Sequence, residues 1–268
     1  MRDPLRQTIK TYRNRSFTGW SDFDALVALR PQILVNVFST PGIGKSFWAL
    51  NLMKRWTDPA RNKRATGALY ITLDTPLSTQ AGRWSALHKR RPIEYISKAP
   101  IKNLKSKDRH RRGHAWVEWT EVPMSVEDLP ELLKGIQEVN GSYPGLVIVD
   151  VVKDLLRESG YEEMATAFKL LKQYAMQAKI TIVSLHHATK NNDPSKRLHL
   201  RDVEYSGDKT PDVVLGMYEP REDKVMLQVL KNRDGEGSPN GYVEIEYRID
   251  WERGGEFYIP AFRRQFRD

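Results

Sequence analysis

The residues with the clearest capacity for chemistry are Ser39-Thr-Pro-Gly-Ile-Gly-Lys-Ser46. A loop of this shape turns successive backbone N–H groups and a helix N-terminus toward phosphate; its lysine reaches the terminal phosphates and its serine hydroxyl ligates Mg²⁺. Ser39 stands where the G-x-x-x-x-G-K-[ST] pattern has its first glycine. Pro41, Gly42, Ile43, Gly44, Lys45 and Ser46 are therefore the candidate cradle for ATP, with Ser46 on the metal. Such a loop needs an acid at the end of a neighbouring strand to hold the ion, and Leu146-Val-Ile-Val-Asp150 supplies Asp150. A strand-ending Asp also serves as a turn or cap residue. Leu69-Tyr-Ile-Thr-Leu-Asp74 ends in a second carboxylate, a general base for the attacking water or an N-cap for the next helix.

These groups must be held by a sheet. Short runs rich in Val, Ile and Leu recur at 33–38, 68–73, 146–149 and 180–185, and predict strands buried on both faces. Amphipathic segments at 45–56, 78–88, 126–139 and 161–178 predict helices between them, with Ser125 and Asp128 as a capping pair. The fold class is thus α/β, with a mostly parallel central sheet and helices on both faces. Beyond Leu200 the pattern changes to strands at 213–218, 224–230 and 242–249, the last two joined by the turn-rich Asp-Gly-Glu-Gly-Ser-Pro-Asn-Gly. This is a β-hairpin extension of the same sheet.

A chain of 268 residues with 40% hydrophobic and 10% aromatic content has the composition of a folded protein with a substantial core. With no cysteine it has no disulfide, thiolate zinc site or cysteine nucleophile. No segment has the apolar length of a signal peptide or membrane span, so the expected location is the cytoplasm, a bacterial host's if the chain is phage-encoded. The formal charge is +9, and position matters more than the sum. From Arg83 to Arg112 there are eleven Lys or Arg against Glu94 and Asp108, and Arg2 to Arg15 is a second basic stretch. Such clusters attract polyanions by counterion release, but a solvated loop has the same composition.

Several motifs in order resemble the RecA-like ATPase core of DnaB-type replicative helicases and small RepA-type plasmid and phage helicases. Thr18-Gly-Trp-Ser-Asp-Phe-Asp24 is similar to the T-G-x-x-x-L-D segment before the phosphate loop, and Lys45 to Leu52 to the helix after it. Ile182 to Lys190 resembles the RepA-type strand and sensor; Asp202 to Tyr218 and Leu230-Lys-Asn-Arg-Asp-Gly235 resemble the DNA-loop region and K-x-R hairpin of the DnaB group. The resemblance implies a P-loop NTPase fold, ATP and Mg²⁺ as cofactors, and roles by position. Asp74 falls at the catalytic Glu, Arg83 at an adenine-stacking Arg, and His187 at the γ-phosphate sensor. Lys231 and Arg233 match a basic pair inserted into the neighbouring subunit's ATP site, which implies a homo-oligomer, a hexameric ring with ATP sites between subunits.

On this reading residues 1–17 are a basic arm standing where the replicative helicases carry a helical domain, and 18–268 are one RecA-like ATPase domain with a basic insertion at about 89–115. The partner is single-stranded or forked DNA, bound through the 190–209 loop, and the work is that of a DNA helicase. A RecA-core single-strand annealing or recombination protein, and an ATP-regulated nuclease on branched or single-stranded DNA, carry the same nucleotide motifs. The stretch from Pro92 to Trp119 does not match the family pattern. Its Trp116 and Trp119 are a base-stacking platform or core residues; His110, His114 and Glu118 have helix-face metal spacing, against a loop as the local reading.

Overall fold

The computed structural model describes residues 15–62, 66–96, 115–156, 160–189, 193–205 and 207–260. Residues 1–14, most of the basic segment with His110 and His114, and Lys190 lie outside them. Helix α1 (Ser21–Leu26) leads to β1 (Ile33–Ser39), α2 (Lys45–Thr57), β2 (Ala68–Thr72), α3 (Leu77–Lys89), a short α4 (Ile93–Ile96) and β3 (Val117–Thr120). Then come α5 (Leu129–Asn140), β4 (Leu146–Asp150), α6 (Tyr161–Ala178), β5 (Thr181–His187), β6 (Val213–Arg221), β7 (Lys224–Asn232), β8 (Glu244–Asp250) and β9 (Glu256–Tyr258). Among the described residues the strands form one sheet in the order β3-β2-β4-β5-β1-β6-β7-β8-β9. Pairing is parallel from β3 to β6 and antiparallel from β6 to β9.

The apolar runs divide by strand alternation, as a sheet covered on both faces requires. Val35 and Val37 of β1, Ile148 of β4 and Val183 of β5 enter a core with Trp48 and Met53 of α2 and Trp84 of α3. Leu34, Val147, Val149 and Ile182 face the other way, against Leu133 of α5 and Phe168 and Leu171 of α6. Before the first strand, the Asp24 carboxylate accepts from the Thr18 N–H at 2.9 Å, the Thr18 hydroxyl at 3.0 Å and the Gly19 N–H at 2.9 Å. The T-G…D segment is therefore a self-tied turn, with Gly19 at φ +73°. It lays Trp20 on Trp48, ring centroids 6.1 Å apart.

Three local features differ from the sequence expectations. The segment after Ser125 opens with a 3₁₀ turn, Val126–Asp128, before α5; Ser125 N–H and Oγ both donate to Asp128 Oδ2, at 2.8 and 2.9 Å. Residues 117–120, read as loop, form the edge strand β3 on β2. There Trp119 stacks on Tyr70 at 5.1 Å and Trp116 covers Gly67, where any Cβ would lie 2.1 Å from its ring, so both tryptophans pack against the protein. Glu118 sits on that strand and not on a helix face. The third is β9, which no apolar run announced. Asn51 of α2 holds it, donating to Gly255 O at 2.8 Å and accepting from Phe257 N at 3.0 Å. No described helix is long and apolar enough to cross a membrane.

One buried titratable group bears on stability. His186 is fully buried in β5, its Nε2 lies 3.0 Å from Glu204 O, and burial pushes its pKa from 6.5 down to about 4. The fold thus holds the neutral ring, and between those values the unfolded chain binds the extra proton. Stability is complete above the unfolded value and is lost as pH falls from it toward the folded one, on the order of 2 kcal/mol by about pH 5. Urea titrations at about pH 7 and about pH 5 are expected to show that loss, and His186→Gln to flatten it; an equal loss in the variant would assign the acid limb elsewhere.

Candidate functional site

The loop between β1 and α2 bends because Gly42 and Gly44 take φ of +88° and +92°, conformations that side chains with a Cβ resist. Gly44 caps α2, and its carbonyl accepts the first helical bond from Trp48 N at 2.9 Å. The Ile43 side chain turns into the core at 4% exposure, so this residue contributes backbone alone to the loop. Lys45 folds back over the loop; its Nζ donates to Ser39 O at 3.1 Å, Ser39 Oγ at 2.9 Å and Thr40 O at 3.3 Å. That gives Ser39 a role no glycine offers at this place: its hydroxyl helps hold the lysine. Burial lowers the Lys45 pKa from 10.5 to about 8 against the opposing pull of Asp150 and Asp74. A buried ammonium held only by neutral oxygens is set for an anion.

Around it the sheet gathers what the sequence nominated. Parallel pairing sets Ser39 beside His187 and Thr72 beside Asp150, because the strand ends of β1, β5, β2 and β4 align. Pro41, Gly42, Gly44, Lys45, Ser46, Asp74, Arg83, Asp150 and His187 line one cavity. It lies at the carboxyl ends of the parallel strands, the usual ligand position in open α/β sheets. Asp150 is 3% exposed; Tyr70 Oη donates to it at 2.6 Å and Gln80 Nε2 at 3.2 Å. Burial raises its carboxyl pKa, opposed by bonds from Tyr70 and Ser46 and by the Lys45 charge. Burial also lowers the His187 pKa, with the Lys45 charge adding to it, so the imidazole is neutral near pH 7. Asp74 is exposed on the cavity wall.

The site also contains residues that sequence reasoning passed over. Phe47 and Trp251 line the same cavity, with centroids 5.2 Å apart edge to face, and the Arg83 guanidinium lies 5.0 Å over the Phe47 ring. Phe47 directly follows the phosphate-loop serine and could have been noticed; Trp251 comes from a turn after β8 and had no local signal. Tyr70 and Gln80, which fix Asp150, look like ordinary core and helix residues in the sequence. Lys231 and Arg233 are not part of this cavity. Lys231 Nζ donates to Asp208 O and Lys209 O at 2.7 and 2.8 Å, while Arg233 lies 3.6 Å from Asp212. Their strand β7 is separated from β1 by β6.

The residues present fit a nucleotide with a hard cation. Ser46 and Asp150 offer only oxygen, as Mg²⁺ prefers. Two polar atoms at the loop and cavity, Thr40 Oγ1 and His187 Nδ1, are buried with no partner in the protein.

The family described as AAA domain matches residues 28–193 of this sequence. The chain belongs to that family. It is an AAA-domain P-loop ATPase, and its fold is that of an ATPase domain solved on its own, with a TM-score of 0.75 at 16% identity over 96% of both chains. A DnaB-like replicative helicase, solved in a study of its interactions with primase, superposes with a TM-score of 0.72 at 15% identity. That match takes in 95% of this AAA-domain chain, which spans 64% of the helicase. A comparison with curated proteins found no match.

Proposed function

We propose that this chain is a Mg²⁺-dependent ATPase that binds single-stranded DNA and works as a ring-shaped DnaB/RepA-like DNA helicase in phage or plasmid replication, in the bacterial cytoplasm. The observation that carries the reading is the convergence of Lys45, Ser46, Asp74, Arg83, Asp150 and His187 on one cavity at the sheet's carboxyl edge. Ser46 and Asp150 would hold the ion, which supplies charge neutralisation on the phosphates. Lys45 exchanges its loop oxygens for phosphate oxygens, and Asp74 accepts the proton of the attacking water. Neutral His187 reads the terminal phosphate through a hydrogen bond. Arg83, seated on Phe47, stacks on the base. Asp74 is one methylene shorter than a glutamate, which favours slow turnover.

In the same proposal residues 18–268 are the ATPase domain, 1–17 a basic arm and about 89–115 a basic insertion. Lys231 and Arg233, remote from their own cavity, complete the site of the next subunit in a hexamer. The test is the purified protein on forked and flush DNA with ATP, a non-hydrolysable analogue, or neither. ATP-dependent strand separation on the fork is expected. Annealing without unwinding would replace the helicase by a recombination protein, and strand cleavage would replace it by a nuclease.

A further inference from the structure

The segment from residue 193 to 205 crosses one face of the sheet over β6 and β7, where Leu198 and Val203 close a small core with Phe38, Val214 and Leu230. One buried amide joins it to the β7–β8 connection. Gln228 accepts from Leu198 N at 2.9 Å and donates to Leu198 O at 3.3 Å and Gly241 O at 3.1 Å. Leu200 N adds a bond to Pro239 O at 2.9 Å. The two loops approach so closely that a Cβ on Gly241, already at φ +75°, would lie 1.8 Å from Gln228 Nε2 and 2.9 Å from Arg197 Cγ.

This junction sets Arg197 over Tyr242. The guanidinium lies 5.3 Å from the ring centroid. Glu244 grips it from the other side, accepting from Nε at 3.3 Å and Nη2 at 3.1 Å, and is itself held by Tyr218 Oη at 3.1 Å. Arg197 is thereby neutralised and fixed in orientation, a planar prop rather than a phosphate ligand. The ring it props is 71% exposed, well beyond Phe17, Tyr161, Trp251 or Tyr258. Nothing in the folding of the described residues calls for an aromatic left in water there, and Lys196 and Arg201 stand exposed on the adjoining loop.

We propose that Tyr242, propped by Arg197, is a stacking platform for an unpaired base of single-stranded DNA. This rests on the single-stranded DNA reading above and adds a site outside the 190–209 loop. A flat ring presented to solvent beside exposed cations has the chemistry of sequence-tolerant single-strand binding, in which each base contributes its π face. The Arg197 charge, spent on Glu244, adds nothing to phosphate neutralisation, so the contact acts through the base alone.

The experiment measures anisotropy of a labelled oligothymidine with the wild-type protein, Tyr242→Ala, Tyr242→Phe and, as a surface control, Tyr258→Ala. Tyr242→Ala is expected to weaken binding roughly tenfold, with Tyr242→Phe and Tyr258→Ala close to wild type. The log–log salt slope is expected to stay the same, since no phosphate contact is lost, and DNA-free ATP turnover to be unaltered. On an abasic oligonucleotide, wild type and Tyr242→Ala are expected to bind equally. Wild-type affinity in Tyr242→Ala overturns the platform and leaves the DNA reading standing. A tenfold loss that persists on the abasic strand overturns base stacking. If the wild-type protein binds no single-stranded DNA, platform and DNA reading fail together.

Discussion

Lys45→Ala is expected to lower ATP turnover by roughly 10² to 10³ or more, the scale on which enzymes lose rate when one preorganised electrostatic group is removed. Folding is expected to survive. Lys45 is buried and its pKa is lowered to about 8, which means the fold disfavours the charge it carries at neutral pH. Deleting it relieves that desolvation while freeing the oxygens of Ser39 and Thr40 from their bonds to it. The two effects oppose each other, so thermal unfolding of the variant should lie close to wild type. Loss of turnover in a folded variant separates chemistry from structure. Wild-type turnover in that variant would remove the phosphate-site assignment, and with it the proposed roles of Ser46, Asp74 and Asp150.

Arg233→Ala is expected to leave nucleotide binding intact and to lower DNA-stimulated hydrolysis by on the order of 10³, since arginine fingers contribute about 10³ to 10⁵ in related phosphoryl transfer. The side chain is 51% exposed beside Asp212, and its own cavity lies across β6. Any action on a nucleotide must therefore reach another copy. Mixing Arg233→Ala with Lys45→Ala protein tests this directly. Where a Lys45→Ala subunit supplies Arg233 to an Arg233→Ala neighbour, that interface contains every group and regains activity. Absence of rescue, with subunit exchange verified by labelled mixtures, would remove the shared-site ring and bring the annealing and nuclease readings forward.

Much of the catalytic half was readable in the chain because its determinants are local. The turn chemistry of Gly42 and Gly44, the lysine and serine after them, and the apolar runs ending at Asp74 and Asp150 are each contained within a few residues. Continuous apolar strands separated by amphipathic helices leave few arrangements besides a doubly covered parallel sheet. The Asp-Gly-Glu-Gly-Ser-Pro-Asn-Gly turn marked the antiparallel extension for the same local reason.

What only the tertiary structure decided depends on neighbours distant in sequence. Strand β3 is short and half-buried, and exists because β2 offers Ala68 to Ile71 as a pairing edge. Strand β9 is held by Asn51, some two hundred residues earlier. Trp251 enters the nucleotide cavity because β8 ends above Phe47, and Tyr242 is set beside Arg197 by a single buried glutamine. Lys231 and Arg233 look like site residues in the sequence, yet the strand order carries them away from their own phosphate loop. Sequence determined which groups could do chemistry, since residue type and short spacing fix that; the folded sheet decided which of them meet, since strand order and register are set by packing across the whole chain.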